Sequence, residues 1–332
     1  MSETNPNIVV IGGGTGSFTI LSGLKRFSKN ISALVSMADD GGSTGLLRDE
    51  FGVLPPGDVR QCLVALSESP DELRELFNYR FPYKTSLAGH SFGNLFLTAL
   101  EMMSSDFARG IKIASDVLKI KGKVIPITLV KTKLHLASDG GEVIGQHKIA
   151  NLPFMANEKP DLWLVPKSII NPEAKLAIEN ADLVVIAPGD LYGSLLPALL
   201  VDGVPGALQK TSARVVYICN LVNKPHQTKD FGVNDYVREL GRFIGYDTIN
   251  TVIYNQDKPD DILLKTYALE GEIPVNVDEN LLDSLSYQAI GGDLLSHKAH
   301  YKNPNDNMIK RSLIRHDPEA VSKILIELLS ES

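Results

Sequence analysis

The chain has 332 residues, 43% of them hydrophobic and 22% charged, and 33 Lys and Arg against 40 Asp and Glu give a net charge of −7. At that length roughly three quarters of the unfolded surface can be buried, so no disulfide or metal staple is needed. No apolar run approaches the ~18–20 residues of a membrane span, and the mildly acidic balance without a basic stripe excludes a nonspecific grip on nucleic acid.

From the start of the chain, Met1–Asn7 carries acid and lacks the basic and apolar pattern of a signal peptide, so a cytoplasmic protein is expected. Short β-branched runs bounded by Gly, Asn or Pro then alternate with longer helix-like stretches, which is the mark of a parallel sheet covered on both faces. The expected strands are Ile8–Ile11, Ile31–Ser36, Asp161–Val165, Leu183–Ala187, Val215–Cys219 and Thr251–Tyr254. Most are apolar without alternation, as buried parallel strands are. Between them the pattern predicts helices over Ser17–Phe27, Val59–Leu66, Asp71–Phe77, Asn94–Met103, Phe107–Leu118, Pro172–Asn180 and Leu195–Val201. A last helix, Pro318–Leu329, starts with Asp317 as its cap and Pro318 in its first turn. Ile127–Ala150 alternates around Asp139-Gly140-Gly141 and reads as a β-hairpin inserted at the sheet edge. The segment 285–314, with Gly291-Gly292 and Asn303–Asn307, fits no element. Cys62 and Cys219 sit in apolar runs without ligand spacing and read as small core hydrophobes. With no linker in sight, the expectation is one Rossmann-like three-layer α/β/α domain over 1–332, its sheet mostly parallel, with the hairpin 127–150 as an antiparallel insertion.

The candidate chemistry lies in the loops that follow strands. Gly12-Gly13-Gly14-Thr15-Gly16 runs from the first strand into a helix, where backbone N–H groups can take a phosphate. The strict dinucleotide fingerprint is broken, since Ser17 stands at its third glycine. The second strand ends in Asp39-Asp40-Gly41-Gly42-Ser43, where a carboxylate could accept a ribose hydroxyl or hold magnesium. Successive side chains of an extended segment point opposite ways, so only one of the two acids faces a ligand, and Asp40 is preferred. Asp58 follows Pro55-Pro56-Gly57 and forms a capping-box pattern with Gln61, so it is either a helix cap or a ligand carboxylate, with Arg48 and Arg60 near in sequence to offset its charge. Asn94 is a candidate neutral ligand-orienting group, whereas a lone His90 is more often simply polar surface. Gly189 and Asp190 follow the fourth strand, Asn220 and Lys224 the fifth, and Arg315 before the last helix could fork onto a phosphate or form a surface ion pair.

Gly12–Gly16, Ala38–Ser43, Leu54–Arg60, Gly93-Asn94-Leu95, Ala187–Tyr192 and Arg315-His316-Asp317 together resemble the gluconeogenesis factor family of bacteria over nearly the whole chain. That family is related to 2-phospho-L-lactate transferase, which makes the deazaflavin coenzyme precursor in a magnesium-dependent reaction. The resemblance implies a cytoplasmic Rossmann-like protein needed for growth and normal cell shape on gluconeogenic carbon sources, with a UDP-sugar as the small-molecule ligand, while the dinucleotide-like loops leave NAD as the other ligand expected. By the same resemblance the transferase's deazaflavin-contacting Asp maps onto Asp58, while His90–Asn94 stand where its lysine would be expected. A regulatory nucleotide binder is therefore the leading expectation. A magnesium-dependent transferase acting on a phosphorylated small molecule, with Asp40 and Asp58 holding metal or substrate, is the alternative. The edge hairpin leaves a homodimer as one expected assembly.

Overall fold

A computed structural model describes residues 5–82, 84–138, 140–153, 159–269, 271–278, 286–296 and 314–331. Its centre is a seven-stranded parallel sheet built from β1 (Ile8–Ile11), β2 (Ile31–Val35), β3 (Lys123–Pro126), β7 (Leu183–Ile186), β8 (Arg214–Ile218), β10 (Thr251–Asn255) and β12 (Gln288–Gly292), in the order β12-β10-β8-β7-β1-β2-β3. Every neighbouring pair is parallel. Strands buried on both faces must be apolar at successive positions. In β1, Val9 and Ile11 join the core on one face while Ile8 and Val10 join the core on the other. Helix α1 (Gly14–Leu24), α3 (Pro56–Leu66), α5 (Phe92–Ser104), α6 (Phe107–Leu118) and the last helix (Pro318–Ser330) cover one face. Helix α8 (Pro172–Glu179), α10 (Val204–Lys210) and α11 (Val233–Ile244) cover the other. The expected Rossmann-like three-layer arrangement is the observed one.

Several elements depart from the sequence expectation. Asp161–Val165, read as a parallel strand, is β6 and pairs antiparallel with β4 (Lys133–Ser138), which pairs in turn with β5 (Gly141–Ile144). The reason lies in its one-sided burial: Leu162 and Leu164 enter the core while Trp163 and Val165 stay exposed. The hairpin is thus part of a separate three-stranded sheet rather than an extension of the main sheet's edge, and Asp139 in its turn lies outside the described residues. Strands β3 and β12 and the helices α2 (Gly42–Phe51), α10 and α11 were not expected. Within the segment 285–314, Gly291-Gly292 end β12, and Asn303–Asn307 lie outside the described residues.

The strand order places a topological switch point between β1 and β7, whose onward connections leave in opposite directions. Ligands of open α/β sheets bind in the crevice outside the carboxyl ends at such a point.

Candidate functional site

The glycine loop leaves β1 at that switch point. Gly12 has φ +150°, Gly14 has φ +62°, and α1 begins at Gly14 with Thr15 and Gly16 in its first turn. A Cβ on Gly16 would overlap the Pro188 carbonyl, so this glycine allows α1 to approach the loop after β7. Close packing is the role a third fingerprint glycine serves, and here it falls one residue earlier than the strict pattern, before the buried Ser17.

The first unpaired helix amide is already occupied. Gly14 N donates to Asp58 Oδ1 at 2.9 Å, and a Cβ on Gly13 would overlap the same carboxylate. Helix α3 starts at Pro56 with Pro55 as N-cap, so Asp58 lies inside the first turn and is not the cap of a helix beginning at Val59. The turn that carries it is stiffened by two prolines, and its side chain reaches across to the glycine loop.

Asp39 is the acid that stands on this side. A Cβ on Gly57 would lie 3.1 Å from Asp39 Oδ2 and would crowd Thr44 Oγ1, which gathers Asp39, Thr44 and the start of α3 in one corner. Burial, followed by the charge of Asp58, pushes the Asp39 carboxyl up to about 7. Asp40 points elsewhere. Its oxygens accept from Gln146 N at 3.2 Å and His147 N at 2.7 Å, which caps the short helix α7 (Gln146–Ile149) after the hairpin. The expected pairing of Asp40 with Asp58 is therefore replaced by Asp39 with Asp58. The rule that alternate side chains diverge was right, but one sequence could not say which acid took which side.

Two buried arginines hold this corner in place. Arg48 donates to the Asp39 carbonyl at 3.3 Å and to the Thr132 carbonyl, tying the acidic loop to the inserted sheet. Arg60 donates to Asn94 Oδ1 at 2.9 Å and to Asn78 Oδ1. Asn94 in turn donates to Ser43 Oγ at 3.1 Å, and Ser43 Oγ lies 3.0 Å from His90 Nδ1. Asn94 is 2% exposed, so both ends of its amide serve the framework. Burial holds His90 below its ordinary value, which keeps its ring neutral at pH 7.

The second cluster stands beside the first, since Ala187 N donates to the Ile11 carbonyl at 3.0 Å. Gly189 N donates to Asn220 Oδ1 at 3.0 Å while Asn220 Nδ2 returns a bond to the Gly189 carbonyl at 2.8 Å, clipping the loops after β7 and β8 together. Asp190 caps the following turn through Gly193 N at 2.8 Å, and its other oxygen accepts from Lys224. Lys224 also donates to the Ala150 carbonyl at 3.0 Å. Arg315 enters through its backbone: its carbonyl accepts from Ser296 N at 2.9 Å, and the next residue, His316, donates to the Cys219 carbonyl at 3.1 Å. Asp317 caps the last helix through Glu319 N and Ala320 N, both at 2.8 Å, as its sequence position suggested.

All the candidate loops thus meet at one edge of the sheet. An open pocket of about 320 Å³ adjoins them at the carboxyl ends of β8 and β10, with Asn220 and Gln256 among its lining. A larger cavity of about 700 Å³ lies at the opposite, amino edge, against Asp182, Arg214 and Asn250. Among the described residues no group of three or more His, Cys, Asp or Glu forms a metal cluster, and no helix is long and apolar enough to cross a membrane. Thr44, Arg48 in its observed role, and Gln256 were missed in the sequence. Only the run of hydroxyls after Asp40 hinted at Thr44.

With this geometry, the sequence model of the family described as 2-phospho-L-lactate transferase CofD matches residues 8–295. The chain belongs to that family. It is 37% identical over 328 residues to the gluconeogenesis factor of Bacillus subtilis, covering 98% of this chain and 99% of that protein. The gluconeogenesis factor of Halalkalibacterium halodurans is also 37% identical, over 96% of this chain and 98% of its own length. A crystal structure of a upf0052 family member from Bacillus halodurans superposes with a TM-score of 0.87 at 36% identity, covering 97% of this chain and 99% of the other. The CofD family and its gluconeogenesis factors are therefore the setting in which the Asp39–Asp58 corner is to be understood.

Proposed function

We propose that this chain binds a nucleotide, with UDP-sugars as the leading class, across the carboxyl edge of the sheet, and that Asp39 and Asp58 would hold a magnesium ion offsetting the charge of the ligand's phosphates. The observation that carries the reading is the seat of Asp58 on the Gly14 amide with Asp39 beside it. A dinucleotide site offers that amide to a bare pyrophosphate. Here the place is taken by a carboxylate, which repels an uncompensated phosphate and favours one that arrives with a cation. The donors fit magnesium, because two carboxylates and the Thr44 hydroxyl are hard oxygens and leave positions for water and phosphate. When bound, the ion supplies neutralising charge. The chain's own part is to hold the two acids side by side, through Arg48 on the acidic loop and the proline-stiffened turn under Asp58. NAD is accordingly the weaker of the two ligand classes.

A second reading, transfer of a phosphorylated group in the manner of 2-phospho-L-lactate transferase, is favoured by the family match and draws on the same carboxylates. Such a reaction would rest on positioning and electrostatics. The relatives' name, gluconeogenesis factor, supports a role in growth on gluconeogenic carbon sources. Calorimetric titration with UDP-glucose and with NAD, each with and without magnesium, tests the main reading. Magnesium-dependent heat with UDP-glucose is expected, and a folded sample that gives no heat with either nucleotide overturns it. Loss of turnover in Asp58→Asn with nucleotide affinity intact would favour the transferase.

A further inference from the structure

The pocket at the ends of β8 and β10 shares a residue with the loop cluster. Asn220 lines it on one side and bonds Gly189 on the other, so the cavity continues directly from the loop that follows β7. Its walls are apolar where Val233, Pro274 and Val275 stand, and about 320 Å³ lies at the small end of ligand cavities. A flat ring with a polar edge suits such a slot better than a branched sugar does.

One polar group in the slot lies against the edge strand of the sheet. Gln256 follows β10, and its carboxamide lies across Gly291 of β12, where an added Cβ would overlap its Cδ. Gly291 thereby accounts for part of the Gly-Gly pair that fitted no element in the sequence. The Gln256 Nε2 lies 3.4 Å from the Tyr254 hydroxyl, a long bond, and no donor to its Oε1 is found among the described residues. The side chain is solvent-exposed at the pocket. An amide with an open acceptor and a free N–H is complementary to any ring edge that presents a donor next to an acceptor, as the Watson–Crick edge of a nucleobase does.

We infer that this pocket is the nucleobase subsite of the ligand and that Gln256, whose carboxamide occupies the space Gly291 leaves open, reads the hydrogen-bonding edge of the base. The inference rests on the nucleotide reading given above and adds where the base sits and what touches it. Ring faces lie against Val233 and Val275, and the ribose and phosphates extend past Asn220 toward Gly189 and the acid corner.

The test compares UDP, GDP and inorganic pyrophosphate by calorimetry in the presence of magnesium, on the full chain and on Gln256→Ala, Gly291→Ala and Asp39→Asn. Gln256 is exposed, and the overlap at Gly291 is with a movable side chain, so both of those variants keep the fold. Each is expected to weaken the preferred nucleoside diphosphate about tenfold, the loss of one or two hydrogen bonds, and to leave pyrophosphate unchanged. Asp39→Asn is expected to weaken the nucleotide and pyrophosphate alike. If the nucleotide binds the wild-type chain and responds to Asp39→Asn but not to Gln256→Ala or Gly291→Ala, the base lies elsewhere and the inference fails while the nucleotide reading stands. If the wild-type chain binds neither nucleotide, both fail together.

Discussion

Asp39 ties the chemistry of the site to the stability of the chain. An unfolded aspartate releases its proton near 3.8, whereas burial and Asp58 make the folded Asp39 retain it up to about 7. Between those values the native state carries the extra proton, so this group's contribution to stability falls as pH rises and is lost above about 7. His316 slopes the opposite way. Burial lowers it to about 4, so its contribution falls as pH drops below 6.5. The two partly cancel between pH 4 and 6.5, and the useful measurement is the difference between wild type and Asp39→Asn. Relative to wild type the variant should gain stability from pH 5 to about 7, by on the order of 2 kcal/mol, and the difference should then level off towards pH 8, in urea unfolding read at each pH. A constant difference across that range would mean that Asp39 is ionised throughout and that the acid corner does not hold a proton. Magnesium should narrow the same difference at pH 8 if the two acids bind it, since the ion then supplies the charge that the proton supplied.

At the scale of elements, close approaches made by glycines set the geometry of the edge. Gly16→Ala places a Cβ into the Pro188 backbone carbonyl, which has no rotamer to escape through. Separation of α1 from the loop after β7 should cost more than about 2 kcal/mol, seen as a lower urea midpoint. Gly206→Ala in α10 is the control, because no atom lies within 4 Å of its added Cβ and helix propensity favours alanine by up to about 1 kcal/mol. Asp40→Ala tests the inserted sheet in a different way. It strips the cap from Gln146 N and His147 N, so about 1 kcal/mol should be lost and amide exchange should quicken at residues 146–149 before it does in β1 or β7. The same contrast explains what could be read in advance. β1 and β7 are continuous apolar runs and β2, β8 and β10 are mostly apolar because both faces of the sheet are covered, and each was found. β3 begins with Lys123 and ends in Pro126, β12 is Gln-Ala-Ile-Gly-Gly, and α2 opens on Gly-Ser-Thr-Gly, so none carries a local signal and each depends on neighbours distant in the chain. β6 was legible as a strand but not as antiparallel, since its pairing partner is decided by the hairpin 127–150 rather than by its own residues.

For the whole molecule, parallel strands in switch-point order send every loop after a strand to one edge, and that convergence could be argued from the alternation of strands and helices alone. The partners within it could not. Asp58 with Gly14, Asn220 with Gly189 and Lys224 with Asp190 are separated by 44, 31 and 34 residues, and nothing in a single sequence selects these pairs over others of the same chemistry. The choice between edges is itself open to measurement, because the larger cavity, of about 700 Å³, lies at the amino edge, where Asp182, Arg214 and Asn250 stand at the starts of their strands. Asp182 accepts from Asn7 N and Asn250 accepts from Val215 N, so much of its polar lining already serves the framework. A ligand held at 100 times its dissociation constant stabilises the native state by about 2.7 kcal/mol, and the added protection is greatest where the ligand touches the backbone. With UDP and magnesium at that excess, amide exchange should slow at residues 12–17, 187–191 and 219–224 and stay unchanged, beyond the global stabilisation, at residues 211–214 and 245–250. Protection confined to the second set would move the ligand to the amino edge, where neither Asp39 nor Asp58 could reach its phosphates.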